Sequence, residues 1–224
     1  MPELRVAALI SDMDGVLIDT GGIYDRHWER WAELHDISHE RITAVHFGRP
    51  AVETIRLVAP GLDAVAEARR FNDALADDPD ADGVSAMPGA VELMRGLPAH
   101  RWAIATSAPR VMAERWLAHV EFPHPGALVT IDDVRRGKPA PDPYLRAAEL
   151  LGFDVGQCLV IEDAPAGISA ARSAGARVLA VLSTHAMADL DAADHVVVGL
   201  RDVAVAVELP GDGALRVSWR PPPR

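Results

Sequence analysis

Val6-Ala7-Ala8-Leu9-Ile10-Ser11-Asp12-Met13-Asp14-Gly15 runs from an apolar stretch directly into two carboxylates and a glycine. The apolar part reads as a buried strand, about Arg5 to Ser11, and the glycine as the turn that ends it. An acid at the end of a buried strand is costly unless something pairs with it. Two acids one residue apart also repel each other, and a cation relieves both. The simplest complete reading is a carboxylate nucleophile, a metal ion and a second carboxylate that moves a proton. Asp12-Met13-Asp14-Gly15 alone is equally well explained as a polar turn.

Outward from this stretch, the texture changes at Gly22 and stays changed to about Asp82. Apolar residues recur there at helical spacing: Ile23, Trp28, Trp31 and Leu34, then Val52, Ile55 and Ala59, then Val65, Ala68, Phe71 and Leu75. No strand is expected in this segment, which ends in the acidic run Asp77 to Gly83. Beyond it the chain alternates. Strands are expected at Trp102–Ala105, Ala127–Thr130, Cys158–Ile161, Val178–Leu182 and His195–Val198. Helices are expected from Pro88-Gly89 to Leu97, after Pro109 to His119, over Pro143–Leu151 and after Pro165 to Ala174. This alternation predicts an α/β fold: a Rossmann-like three-layer α/β/α core with a parallel sheet, and a small all-helical cap inserted after the first strand. Arg220-Pro221-Pro222-Pro223-Arg224 predicts a loose tail.

The 224 residues suit one such core plus an insertion. With 49% hydrophobic and 25% charged residues, the composition is that of an ordinary globular protein. No apolar run approaches the roughly 20 residues of a membrane span, and the N-terminus has no apolar signal region. A cytoplasmic protein, monomeric or weakly dimeric, is expected. The formal charge of -11 disfavours nucleic acid and anionic membranes as partners. The single cysteine, Cys158, excludes an internal disulfide and reads as a small buried hydrophobe.

Three polar clusters end three predicted strands: Asp12/Asp14, Thr106/Ser107 and Glu162/Asp163. In a parallel sheet these ends share one edge, where ligands bind. Thr106 and Ser107 either cap the next helix or add anion-binding groups at its start. Asp163 could cap its own helix, but adjacent acids at a buried edge call for a cation. An oxygen-ligand site for Mg²⁺ accounts for Glu162 and Asp163 together with Asp12 and Asp14. Of the 22 basic side chains one alone is lysine, Lys138, in the loop Arg136-Gly137-Lys138-Pro139-Ala140-Pro141-Asp142-Pro143. A compact ammonium there would keep a neighbouring carboxylate ionised and neutralise phosphate oxygens.

The segments DMDGVLIDT (from Asp12), ATSAP (from Ala105), GKPAPDPY (from Gly137) and IEDAPAGISAA (from Ile161) resemble the four ordered motifs of the haloacid dehalogenase superfamily. The insertion resembles the helical cap of the subfamily containing β-phosphoglucomutase and small sugar phosphatases. Trp28, Trp31, His46-Phe47-Gly48-Arg49 and Met87-Pro88-Gly89-Ala90 are most similar to its sugar and polyol phosphatases. The resemblance implies a discontinuous core of residues 1–20 and 84–224 and a cap of residues 21–83. It also implies a Mg²⁺-dependent phosphatase of a small phosphorylated sugar or polyol.

By the same resemblance, Asp12 is the nucleophile that forms an aspartyl-phosphate, and Asp14 the acid and then the base. Mg²⁺ would be held by the Asp12 carboxylate, the Asp14 carbonyl and Asp163, with Glu162 close by. Thr106, Ser107 and Lys138 would hold the phosphoryl group. Gly21-Gly22 and the Gly83 region are hinge candidates for the cap. Arg49 either reaches the substrate or is a surface arginine. Trp28 and Trp31 read as cap core before stacking platforms, and His46 as a core or cap-interface histidine with no catalytic role. Two other chemistries share the first aspartate. A β-phosphoglucomutase-type mutase has a histidine ten residues after the acid/base aspartate, where this chain has Tyr24. A haloacid dehalogenase needs neither a metal nor a second acid, which Asp14 and Glu162-Asp163 count against.

Overall fold

The computed structural model describes residues 1–78, 83–208 and 213–223. In chain order, β1 (Glu3–Val6) and β2 (Ala8–Ser11) are followed by a short β3 (Ile18–Asp19). Four helices come next: α1 (Gly21–Leu34), α2 (His39–Thr43), α3 (Ala51–Val58) and α4 (Ala64–Ala76). Then come β4 (Ser85–Ala86), α5 (Ala90–Arg95), β5 (Trp102–Ala105), α6 (Arg110–His119), β6 (Ala127–Val129) and α7 (Asp142–Leu151). The chain continues with β7 (Cys158–Glu162), α8 (Pro165–Ala174), β8 (Arg177–Val181), β9 (His195–Val197), β10 (Val203–Val207) and β11 (Leu215–Trp219).

Six strands form one parallel sheet in the order β6-β5-β2-β7-β8-β9. Both faces of this sheet are buried, as the near-continuous apolar runs require. Leu9, Trp102, Ile104, Leu159 and Ile161 pack into one core, which extends into the insertion through Trp28, Trp31 and Phe71. Their strand neighbours Ile10, Ala103, Ala105 and Val160 pack into the other, with Tyr144, Ile168 and Ala171 of α7 and α8. After β2 the chain builds β5 and β6 on one side, then returns to build β7, β8 and β9 on the other. The order therefore reverses between β2 and β7, and their ends form the crevice where such sheets bind ligands. Ser11 lies level with both Ile104 and Ile161, so the residues after β2, β5 and β7 emerge together.

The expected first strand proves to be two. Val6 pairs antiparallel with Leu215, whereas Ala8 pairs parallel with Cys158, so the chain changes sheets at Ala7. The first partner is a second sheet, β1-β11-β10, that the apolar pattern alone did not disclose. The β3–β4 pair closes the two chain crossings that lead into and out of the helical insertion. Within the insertion, Trp28 stacks on Phe71 with centroids 4.0 Å apart, and buried Trp31 donates its Nε1–H to Glu67. Both tryptophans are thus buried in the insertion, and Trp28 also lines the cavity beside Asp12 and Asp14. Pro79 to Asp82 of the acidic run lie outside the described residues. Arg220 to Pro223 form neither helix nor strand, although the Arg220 amide is tied to the Asp202 carbonyl. Cys158 is fully buried, and burial pushes its thiol up to about 11.

Candidate active site

Asp12 follows β2 directly, and its amide donates to the Ile161 carbonyl of β7 at 2.9 Å. That bond continues the sheet by one residue and fixes the carboxylate at the crevice. Lys138 reaches the same point from the loop before α7 and is wholly buried. Its Nζ donates to Asp12 Oδ1 at 2.6 Å and to Glu162 Oε1 at 2.8 Å. The only lysine in the chain thus lies against the predicted nucleophile.

Glu162 has little coordinating capacity to spare. Oε1 also accepts from the Tyr144 hydroxyl at 2.7 Å, and Oε2 accepts from the Asp163 and Ala164 amides at 2.8 and 3.0 Å. This carboxylate therefore holds Lys138 and the turn into α8. Gly167 makes room for it, because a Cβ there would lie 1.5 Å from Glu162 Oε1. Asp163 is arranged differently. Its Oδ2 accepts from the Thr184 hydroxyl, while its Oδ1 is buried with no hydrogen-bond partner. A buried carboxylate oxygen without a donor is costly unless a cation meets it. Gly15, at φ +79°, permits this approach, since a Cβ there would lie 2.2 Å from Asp163 Oδ2.

Carboxylate oxygens of Asp12, Glu162 and Asp163 lie within 4.8 Å of one another. A hard divalent cation fits this donor set, and it would satisfy the orphaned Asp163 Oδ1. Asp14 is not in the group. Its carboxylate accepts from Thr20 Oγ1 at 2.6 Å and from Thr106 Oγ1 at 3.1 Å. The two aspartates of the opening motif therefore have separate surroundings.

The charges follow. Burial pushes the Asp12 carboxyl up to about 7, with the Lys138 ammonium pulling the other way and Glu162 and Asp14 adding to the rise. Burial likewise raises Asp14 against its two hydroxyl donors, and raises Asp163 well above the carboxylate range, helped by Glu162 and Asp12. Burial disfavours the Glu162 charge too, but Lys138 and its other donors hold this carboxyl below its usual value. Lys138 is raised despite burial, because two carboxylates face it. Four carboxylates thus share one ammonium in a buried site, a deficit of positive charge that a divalent cation corrects.

Neither hydroxyl pair nor acid pair merely caps a helix. The residues at the caps of α6 and α8 are Pro109 and Ala164, and the first amide of α6 is met by the Asp132 carboxylate instead. Thr106 Oγ1 accepts from the Ala108 amide and turns its proton to Asp14, while Ser107 Oγ donates to the Gly48 carbonyl at 3.2 Å. That last bond ties the insertion to the core beside the site. Arg49 lines the cavity above Asp12 and Asp14, with one guanidinium nitrogen held by the Val45 carbonyl. The cavity has a volume of about 80 Å³, room for a few waters or a small alcohol and below the 300–1,000 Å³ of drug-sized sites.

Thr20, Tyr144, Thr184 and Gly167 also shape the site, without a role assigned to them from the sequence. Thr20 and Tyr144 lie inside quoted motifs, six residues after Asp14 and Lys138 respectively, and Gly167 lies within the fourth. Thr184 follows β8 with no neighbouring polar cluster to mark it.

A family model described as haloacid dehalogenase-like hydrolase matches residues 6–175. The chain belongs to this family. Among relatives of this hydrolase, hexitol phosphatase A of Escherichia coli is 34% identical over 217 residues, covering 93% of this chain and 98% of its own. Glycerol-1-phosphate phosphohydrolase 2 of Saccharomyces cerevisiae is 32% identical over 202 residues, covering 84% and 78%. A hydrolase from Pseudomonas syringae superposes with a TM-score of 0.78 at 28% identity, covering 88% of this chain and 95% of that one. Among the described residues of this hydrolase, no helix is long and apolar enough to cross a membrane.

Proposed function

We propose that this hydrolase is a Mg²⁺-dependent phosphatase that releases inorganic phosphate from a small sugar or polyol phosphate through an aspartyl-phosphate on Asp12. The observation that carries this reading is the contrast between the two aspartates. Asp12 sits in the acidic cluster against Lys138, and Asp14 sits apart between two hydroxyl donors. Two like groups whose surroundings differ in this way are suited to separate roles.

Asp12 and Asp163 would hold the metal by their carboxylates and Asp14 by its carbonyl, with Glu162 beside them chiefly restraining Lys138. Bound there, Mg²⁺ supplies positive charge to the phosphoryl oxygens and to Asp12. Asp12 attacks phosphorus, and the bond from phosphorus to the alcohol oxygen breaks. Asp14, raised by burial, gives its proton to that oxygen. Asp14 then takes a proton from the water that attacks phosphorus, and Asp12 departs as a carboxylate. Lys138, Thr106 and Ser107 position the phosphoryl group, the main requirement of this chemistry.

The names of relatives support the substrate class, since both act on phosphorylated polyols. The small cavity fits a small alcohol. Tyr24 weighs against the mutase. It packs edge-on to Trp116 and lines the cavity, and burial raises its hydroxyl well above the ordinary phenol value, so it stays protonated and does not exchange a proton near neutral pH as an imidazole can. The second acid and the metal-competent cluster weigh against a dehalogenase. The test is phosphate release over a panel of sugar and polyol phosphates, with Mg²⁺ and with chelator. Release that needs the metal is expected. Absence of release from the whole panel, with conversion of glucose 1-phosphate to glucose 6-phosphate, would overturn the phosphatase.

A further inference from the structure

A carboxylate that serves a cation needs one oxygen free and the rest of the group held still. In Asp163 this division is visible: Oδ1 is buried without a partner, and Oδ2 accepts from the Thr184 hydroxyl. Among the described residues the one other side chain bonded to this carboxylate is the exposed Ser183, at 3.4 Å. Thr184 comes 21 positions after Asp163. It sits on the loop after β8, the strand beside β7, and lines the cavity with Asp12 and Asp14. Gly15 leaves room for it, since a Cβ there would lie 2.9 Å from the Thr184 methyl carbon. Behind Thr184, His185 Nδ1 lies 2.9 Å from the same hydroxyl oxygen. The His185 ring packs edge-on to Phe47 of the insertion, with centroids 5.8 Å apart.

We propose that Thr184 is a positioning residue for the metal site, with His185 orienting its hydroxyl. The inference rests on the Mg²⁺-dependent reading above and adds the group that aims Asp163. A carboxylate that meets a cation is ionised and only accepts hydrogen bonds. The single Thr184 hydroxyl proton therefore goes to Oδ2. That leaves the Thr184 oxygen as an acceptor, so Nδ1 of His185 carries the proton that meets it. The bonds then run in one direction, from His185 through Thr184 to Asp163. With Oδ2 tied in this way and Phe47 steadying the imidazole, Oδ1 is the oxygen left for the cation.

The test follows the melting temperature against Mg²⁺ concentration, which gives an apparent dissociation constant without any substrate. Thr184→Val keeps the shape and removes the proton, and Mg²⁺ affinity is expected to fall about 10- to 100-fold. Thr184→Ser, which keeps the hydroxyl, is expected to hold most of that affinity. His185→Leu is expected to weaken Mg²⁺ binding as well, and His185→Asn, whose amide can replace the Nδ1–H, to restore part of it. A lower melting temperature in chelator with an unchanged Mg²⁺ dissociation constant would show a merely structural role and overturn the inference. Equal losses in Thr184→Val and Thr184→Ser would also overturn it, because they would point to packing and not to the hydroxyl. Should Thr184→Val fail to fold, the two His185 variants make the same comparison. If the wild type shows no Mg²⁺-dependent rise, the metal reading itself falls and this inference with it. If the wild type rises with Mg²⁺ and the variants match it, the metal reading stands and this inference alone falls.

Discussion

Asp12 and Asp14 are the same side chain two positions apart, and their surroundings suit them to different work. Asp12→Asn keeps the shape and one hydrogen-bond acceptor for Lys138 but loses the carboxylate proposed as nucleophile. Phosphate release is expected to fall by roughly four orders of magnitude or more, with the thermal melt still cooperative. Retained turnover would refute covalent catalysis at Asp12. His46 gives a prediction of a different kind. Burial lowers its folded-state pKa from 6.5 to about 4, with Asp25, His39 and His185 as charged or titratable neighbours. Between those values the unfolded chain binds the proton and the folded protein does not, so stability declines as pH falls from 6.5 towards 4. The loss approaches about 3 kcal/mol at the acid end. In urea titrations over this range, His46→Gln should show a shallower decline than the wild type. At this scale the sequence was informative where a residue's place at the crevice follows from its own motif. Asp12, Asp14, Lys138 and Asp163 are brought together there. Gly167 and Tyr144 act by making room for, or donating to, a carboxylate on another element, and only the packed molecule reveals such contacts.

Among the elements, the parallel sheet was legible because each strand is a short apolar run with a polar cluster or turn behind it. The β1-β11-β10 sheet was not, although Leu215-Arg216-Val217-Ser218-Trp219 alternates with period two and buries Leu215, Val217 and Trp219. What hid it was its partner: β1 merges in sequence with β2, and nothing local says that the chain changes sheets at Ala7. β11 is the middle strand, paired with both β1 and β10. Leu215 is fully buried, so Leu215→Ala should cost about 2–5 kcal/mol. A guanidinium denaturation curve should show this as a lower midpoint. An unchanged midpoint would mean that the second sheet contributes nothing to global stability. Helix positions were legible from periodicity, and their ends shifted by a residue or two at Pro109 and Pro143, where proline serves the cap or the second helical position equally well.

The whole molecule carries a formal charge of -11, and its buried centre concentrates that imbalance. Four carboxyl groups beside one ammonium leave that centre short of positive charge. Mg²⁺ that binds the native state alone stabilises it by mass action. Raising Mg²⁺ from chelated to about a hundred times its dissociation constant should raise the melting temperature by roughly 5–10 °C for a chain of this size. Asp163→Asn should abolish most of this rise, and an equal rise in that variant would remove Asp163 from the metal site. The burial of Lys138 has one more effect, on how the protein meets reagents. No ε-amine is on the folded surface, because the single lysine is completely enclosed. Amine-reactive dyes and lysine-directed cross-linkers will find no side chain to modify until the molecule opens. The rate at which Lys138 becomes labelled is therefore a direct clock for the opening of the buried centre around Asp12.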